Sequence, residues 1–169
     1  MKRIGLISDT HGYVDDRILE HLSTVDEIWH AGDIGSLAVT DAMAQVAPVK
    51  GVYGNIDGEE IRRVFPGNKR FLCEGFDIWM THIGGKPYVY SKDVATKIKF
   101  NPPDIFICGH SHILRVQKDK RLNCLYMNPG AAGRHGFHKV RTLLRFTLNN
   151  KNISDLEVVE LGPRARPAP

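Results

Sequence analysis

The chain has 169 residues, 42% of them hydrophobic and 25% charged, with a formal net charge of +4 and a pI near 9.0. This is ordinary globular usage, enough for one domain with a sizeable core, and it excludes a disordered or collagen-like polypeptide. Cys73, Cys108 and Cys124 are odd in number, widely spaced and without a CxxC pair, which excludes a disulfide framework and a structural zinc knuckle and leaves reduced, mostly buried thiols.

In chain order, "RIGLIS" reads as a first strand that stops at Ser8 and Asp9. It is too short for a signal peptide or a membrane span, so a cytoplasmic protein without membrane contact is expected. A helix follows the Asp15-Asp16 start, with Ile18, Leu19 and Leu22 on one face. "EIWHA" is a second strand, closed by Gly32 and Asp33, and Val39, Ala42, Met43 and Val46 recur at helical spacing. "PVKGVYG" leads into Asn55, and "FDIWMT" leads into His82. Val94, Ala95 and Ile98 form a helical pattern after a Ser91 cap, and "DIFICG" leads into His110 and His112. This alternation favours an α/β fold with parallel strands.

The last third changes character: "RLNCLYMN", "TLLRFTLNN" and "ISDLEVVEL" are strand-like runs joined by short turns, so that part should be antiparallel. Together the two parts suggest two packed sheets with helices outside, one mixed sheet being the alternative. Residues 1–162 are expected to form a single domain, and the closing "GPRARPAP" reads as a flexible tail from 163 to 169. Basic residues are scattered, denser only at 118–121 and 134–141, a pattern that suits a solvated surface better than a nucleic-acid groove.

Ligands of open α/β sheets bind at the carboxyl ends of strands. The residues standing there are Asp9 and His11, then Asp33, Asn55, His82, and finally His110 and His112. All offer oxygen or imidazole nitrogen, and no cysteine is among them. That donor set suits Mn²⁺, Fe²⁺, Zn²⁺, Co²⁺ or Ni²⁺ better than a closed structural zinc site. Seven ligands are too many for one ion, but two ions sharing a carboxylate would use them all, an arrangement that activates water and stabilises a phosphoryl group.

The segments "SDTHG", "HAGDI", "VYGNID", "MTH" and "CGHSH" together resemble the five motifs of calcineurin-like metallophosphoesterases. "MNPGA" at 127–131 is similar to a turn of the small bacterial and archaeal phosphodiesterases and of the retromer subunit related to them. The resemblance implies a four-layer α/β/β/α sandwich, two mixed sheets flanked by helices. It also implies that Asp9, His11, Asp33 and His112 hold a first ion, Asp33, Asn55, His82 and His110 a second, with Asp33 as bridge. The cofactors are then two divalent ions, Mn²⁺ foremost. The reaction is hydrolysis of a small phosphate ester, most simply a diester, by a hydroxide bridging the ions.

Asn55 can ligate through its carbonyl and donate its NH₂ to phosphate, or else serve as a turn residue. Asp57 could orient a ligand histidine, and Arg134 could hold a phosphate oxygen, a surface or turn role being open for each. His30 supports a strand end, His21 is a helix surface residue, and His135 and His138 could reach the site or cap a loop. Departures from the family pattern are Ile56, where a leaving-group histidine is common, "HIGG" at 82–85, and Ala131. Two other readings stand beside the enzyme: a protein-docking scaffold of the same fold, and a nuclease using the 118–121 cluster. A homo-oligomer is left open.

Overall fold

A computed structural model describes residues 1–166. The chain runs β1 (Lys2–Ile7), α1 (Asp16–Leu22), β2 (Glu27–His30), α2 (Leu37–Ala44), β3 (Val49–Gly51), α3 (Glu59–Val64), β4 (Asn68–Cys73), β5 (Phe76–Thr81), β6 (Gly85–Lys86), β7 (Val89–Tyr90), α4 (Lys92–Phe100), β8 (Ile105–Ile107), β9 (Arg115–Asp119), β10 (Cys124–Asn128), β11 (Val140–Asn149) and β12 (Asn152–Pro163).

The central strands are apolar on both faces, and this decides the layering. Along β1, Ile4 and Leu6 face the second sheet while Ile7 faces helices; along β8, Ile105 and Ile107 face the first sheet while Phe106 faces the other way. One sheet has the order β12-β11-β1-β2-β3 and the other β4-β5-β8-β10-β9. Trp29, Ile78, Met80, Met127, Leu144 and Phe146 fill the space between them. Helices α1, α2 and α3 cover the outer face of the first sheet through Ile18, Leu22, Val39, Met43 and Ile61. Helix α4 covers the outer face of the second through Val94 and Ile98. The result is the four-layer α/β/β/α sandwich with two mixed sheets.

Pairing is parallel for β1–β2, β2–β3, β5–β8 and β8–β10, and antiparallel for the rest. The C-terminal third is thus antiparallel at β9–β10, β1–β11 and β11–β12 but not throughout. The chain leaves β8, runs out to the edge as β9, and returns as β10 between the two, which sets β10 parallel to β8.

Helix α1 is capped by Asp15, whose carboxylate accepts from Ile18 N at 2.9 Å and also from the buried Arg141 Nη2 at 2.9 Å. The expected tail begins too early at residue 163. Pro163 closes β12, and Arg164 donates from its backbone to Lys139 O and accepts at its own carbonyl from Arg134 Nη1, bonds that hold it to the β11 entry. Residues 167–169 of that tail lie outside the described residues.

Candidate metal centre

The carboxyl ends of β1, β2 and β3 in one sheet and of β5 and β8 in the other meet along one edge of the sandwich, and the seven candidate ligands stand there. Asp9 and His11 follow β1, Asp33 follows β2, and Asn55 follows β3. His82 follows β5, and His110 and His112 follow β8.

Their donor atoms gather in two groups. Asp9, His11 and His112 form one, and Asp33, His82 and His110 the other, each with its ligand atoms within 4.8 Å of one another. Asp33 Oδ2 lies between the groups, 3.5 Å from His11 Nε2 and 3.2 Å from His82 Nε2. Asp9 Oδ1 is 3.1 Å from His112 Nε2 and 3.9 Å from both His11 Nε2 and His82 Nε2. Asn55 Oδ1 stands 3.0 Å from His110 Nδ1, on the second group's side.

The backbone holds these side chains at a cost. Asp9 (φ 54°), His11 (46°), Asp33 (52°), His110 (68°) and His112 (59°) are all left-handed. Non-glycine residues in that region cost about 1–3 kcal/mol each and persist where surrounding structure over-determines them, typically at functional sites. Two glycines make room beside the carboxylates: a Cβ at Gly54 would fall 2.0 Å from Asp33 Oδ1, and one at Gly109 would fall 2.1 Å from Ser8 Oγ and 2.7 Å from Asp9 Oδ2.

A cation fits this donor set. His82 Nδ1 lies 2.7 Å from Ala31 O, and a carbonyl only accepts, so Nδ1 carries the proton and Nε2 turns a lone pair toward Asp33 and Asp9. With His82 neutral, acceptor then faces acceptor in a buried site. Asp9 Oδ1, His11 Nε2 and His82 Nε2 are buried and find no hydrogen-bond partner, an arrangement that is costly unless positive charge sits among them. The titration directions agree. Burial would raise the Asp9 carboxyl, but His11, His112, His82 and the Ser8 hydroxyl hold it well below the usual range. Burial would likewise lower His82, but Asp33 and Asp9 raise it.

The chain is similar to known proteins. A model of the calcineurin-like phosphoesterase superfamily domain matches residues 1–151. The chain belongs to that superfamily. A probable metallophosphoesterase of Methanocaldococcus jannaschii is 30% identical over 137 residues, covering 76% of this chain and 67% of its own length. Among solved structures, a novel archaeal phosphodiesterase superposes with a TM-score of 0.76 at 21% identity, over 94% of this chain and 99% of the other. Vps29 of Entamoeba histolytica in complex with Zn²⁺ superposes with a TM-score of 0.73 at 17% identity, over 96% and 99%.

Two residues of this metallophosphoesterase, Asp57 and Arg134, make the contacts of the turn or surface role left open for each. Asp57 orients no histidine: its carboxylate accepts from the backbone amides of Ile34 at 3.0 Å, Gly35 at 2.7 Å and Gly54 at 2.8 Å. It therefore ties the loop bearing Asp33 to the loop bearing Asn55. Arg134 does not face the donor groups: its Nη1 donates to Arg164 O at 2.9 Å and its guanidinium lies 5.0 Å from the Tyr13 ring centroid. Apart from Gly54, these partners are far off in sequence, and nothing near either residue signals them.

Other side chains join the site. The His135 ring packs 4.7 Å from His11 and the His138 ring 5.1 Å from His112, so the 133–138 loop reaches the site and lines its pocket. His138 Nε2 lies 2.8 Å from Gly133 O, and burial lowers its pKa, as does the nearby His112. Asn128, which the sequence marks only as part of a turn, donates to Gly109 O at 3.0 Å and Ser111 Oγ at 3.1 Å, fixing the loop of His110 and His112. His30 supports a strand end, as expected. Gly32 N donates to its Nδ1 at 3.2 Å, so Nε2 carries the proton toward Thr10 Oγ1 at 3.0 Å, and Thr10 donates on to Ile34 O. Burial keeps its pKa down at about 4.

Proposed function

We propose that this metallophosphoesterase is a phosphodiesterase working with two divalent ions. Asp9, His11, Asp33 and His112 would hold one ion, and Asp33, Asn55, His82 and His110 the other. The observation that carries the reading is the set of buried, unpartnered donors Asp9 Oδ1, His11 Nε2 and His82 Nε2 turned toward one another across two sheets. Ions bound there would supply Lewis acidity, neutralising phosphoryl charge and making water nucleophilic near neutral pH. All-N/O ligation is compatible with Mn²⁺, Zn²⁺, Fe²⁺, Co²⁺ and Ni²⁺, and we take Mn²⁺ as the working ion.

The chain's own residues do the rest. Ala31 O orients His82, Asn128 fixes the loop of His110 and His112, and Asp57 fixes the loops of Asp33 and Asn55. The Asn55 carboxamide, exposed beside His110, can offer N–H to a phosphate oxygen while its carbonyl faces the second group. A diester is favoured because two cavities, one of about 460 Å³ and one of about 320 Å³, meet at His110 and Ser111, leaving room for an organic group on either side of a phosphorus. For a nuclease, the 118–121 cluster is badly placed: in β9 it lies toward Asp119, opposite Cys124, whereas the site lies toward Arg115, opposite Asn128. Three unpaired buried cysteines suit a reducing compartment, and we place the protein in the cytoplasm.

The test is hydrolysis of bis(p-nitrophenyl) phosphate and p-nitrophenyl phosphate by Mn²⁺-loaded protein. The diester should be the better substrate, with activity lost to chelator and restored by metal. Absence of turnover from protein that demonstrably binds Mn²⁺ would favour the docking-scaffold reading.

A further inference from the structure

The loop that carries His110 and His112 has a second cavity on its other side. It is about 320 Å³ in volume, walled by Ile83, Val89, Ile113 and Tyr126, and it shares His110, Ser111 and Ile113 with the pocket over the donor groups. Its walls are pre-formed: Tyr126 Oη donates to Gly85 O at 2.7 Å and Ser91 Oγ to Ile83 O at 2.9 Å, pinning the β6–β7 hairpin. Such a concave, largely apolar space with a few placed polar groups is what small-molecule sites look like.

Its charge is one-sided. Lys86 and Arg115 line it and no carboxylate does. Lys86 and Arg115 enter no ion pair among the described residues, unlike Arg121, which pairs with Asp119 at the far end of β9. Arg115 is half-buried, and a guanidinium beside apolar walls without an acidic partner is best satisfied by an incoming anion.

We propose that this cavity takes the organic part of the substrate. That part is an aromatic or heteroaromatic ring bearing a second anion, phosphate or carboxylate, held by Lys86 and Arg115 as specificity-determining residues. The inference rests on the phosphodiesterase reading for the reacting phosphate, but the cavity can be tested apart from it.

Mn²⁺-loaded protein is given p-nitrophenyl phenylphosphonate and counterparts whose non-leaving aryl group carries a para carboxylate or phosphate, on one-ring and two-ring spacers. The anionic-to-neutral ratio of kcat/KM should be about tenfold or more, expressed in KM. It should fall to near one in Lys86→Gln/Arg115→Gln, substitutions that keep the aliphatic packing. The two anions and two spacers identify the preferred partner. A ratio near one in the wild type, or one that survives the double substitution, overturns the proposal. Calorimetric titration with phenylphosphonate and 4-carboxyphenylphosphonate gives a readout free of turnover, and the same preference and the same loss are expected. Should no ester be hydrolysed while that preference persists, the phosphodiesterase reading fails and the cavity assignment stands. Hydrolysis without any preference in either measurement means the reverse.

Discussion

Asp9 Oδ1 and His112 Nε2 stand 3.1 Å apart although Asp9 follows β1 in one sheet and His112 follows β8 in the other. The donor groups therefore straddle the seam of the sandwich, and a bound ion would fasten one sheet to the other. Free energy of binding then becomes free energy of folding: at a hundredfold excess over Kd, about 2.7 kcal/mol per site. For a domain of this size Mn²⁺ should raise Tm by about 5–10 °C for each ion held, reversibly with chelator. Differential scanning calorimetry checks this, and an unchanged Tm would mean that metal does not bind between the sheets.

Asp57 is expected to behave as a positioning residue. Replacing it by Ala leaves three backbone amides near the site without their acceptor, at about 1–3 kcal/mol for each that water cannot reach. Asp57→Ala should lower the urea midpoint and weaken Mn²⁺ binding by about 10–100-fold, with Asp57→Asn in between. Normal metal affinity in a destabilised Asp57→Ala protein would confine the residue to stability.

A pH dependence follows from Glu27, buried in β2. Burial would raise its pKa, but hydrogen bonds from Lys2, Lys50 and Trp29 bring it from 4.5 down to about 2. A depressed carboxyl contributes stability that is present above the unfolded pKa and lost as pH falls through the folded one, here between about 4.5 and 2. With the lysines partly exposed, about 2 kcal/mol is expected. The stability gap between wild type and Glu27→Gln should be constant above pH 6 and narrow towards pH 3. A gap unchanged over that range would contradict the assignment.

Ile56 lines the pocket over the donor groups and is 47% exposed, yet a hydrocarbon donates no proton to a departing alkoxide. A positioned acid contributes roughly 10²–10⁴-fold, so kcat for aryl diesters should depend steeply on leaving-group pKa, and Ile56→His should flatten the dependence. A shallow wild-type slope would point to another acid, with His135 and His138, which line the same pocket, the first to replace.

The strand ends were legible because each apolar run stops at a polar residue, and the α1, α2 and α4 segments because their apolar spacing is helical. Helix α3 escaped notice because six residues with one buried apolar position, Ile61, carry no period. Strands β4 and β9 give no clear signal because they lie at the two edges of their sheet, only partly buried, with polar and charged residues that blur alternation. The left-handed backbone at Asp9, His11, Asp33, His110 and His112 has no sequence mark, since glycine is the residue that ordinarily announces it. For Asp57 and Arg134 the sequence leaves a site role and a turn or surface role open, because the partners Ile34, Gly35 and Arg164 are brought to them only by the fold.

The central claim is that two metal ions share Asp33. Titration of metal-free protein with Mn²⁺, checked by elemental analysis, should reach two equivalents per chain. In Asp33→Ala it should fall to one or none, with the fold retained and kcat reduced by at least about 10²–10³-fold. A plateau at one equivalent in well-folded wild-type protein, or wild-type turnover by the Asp33→Ala variant, would contradict it.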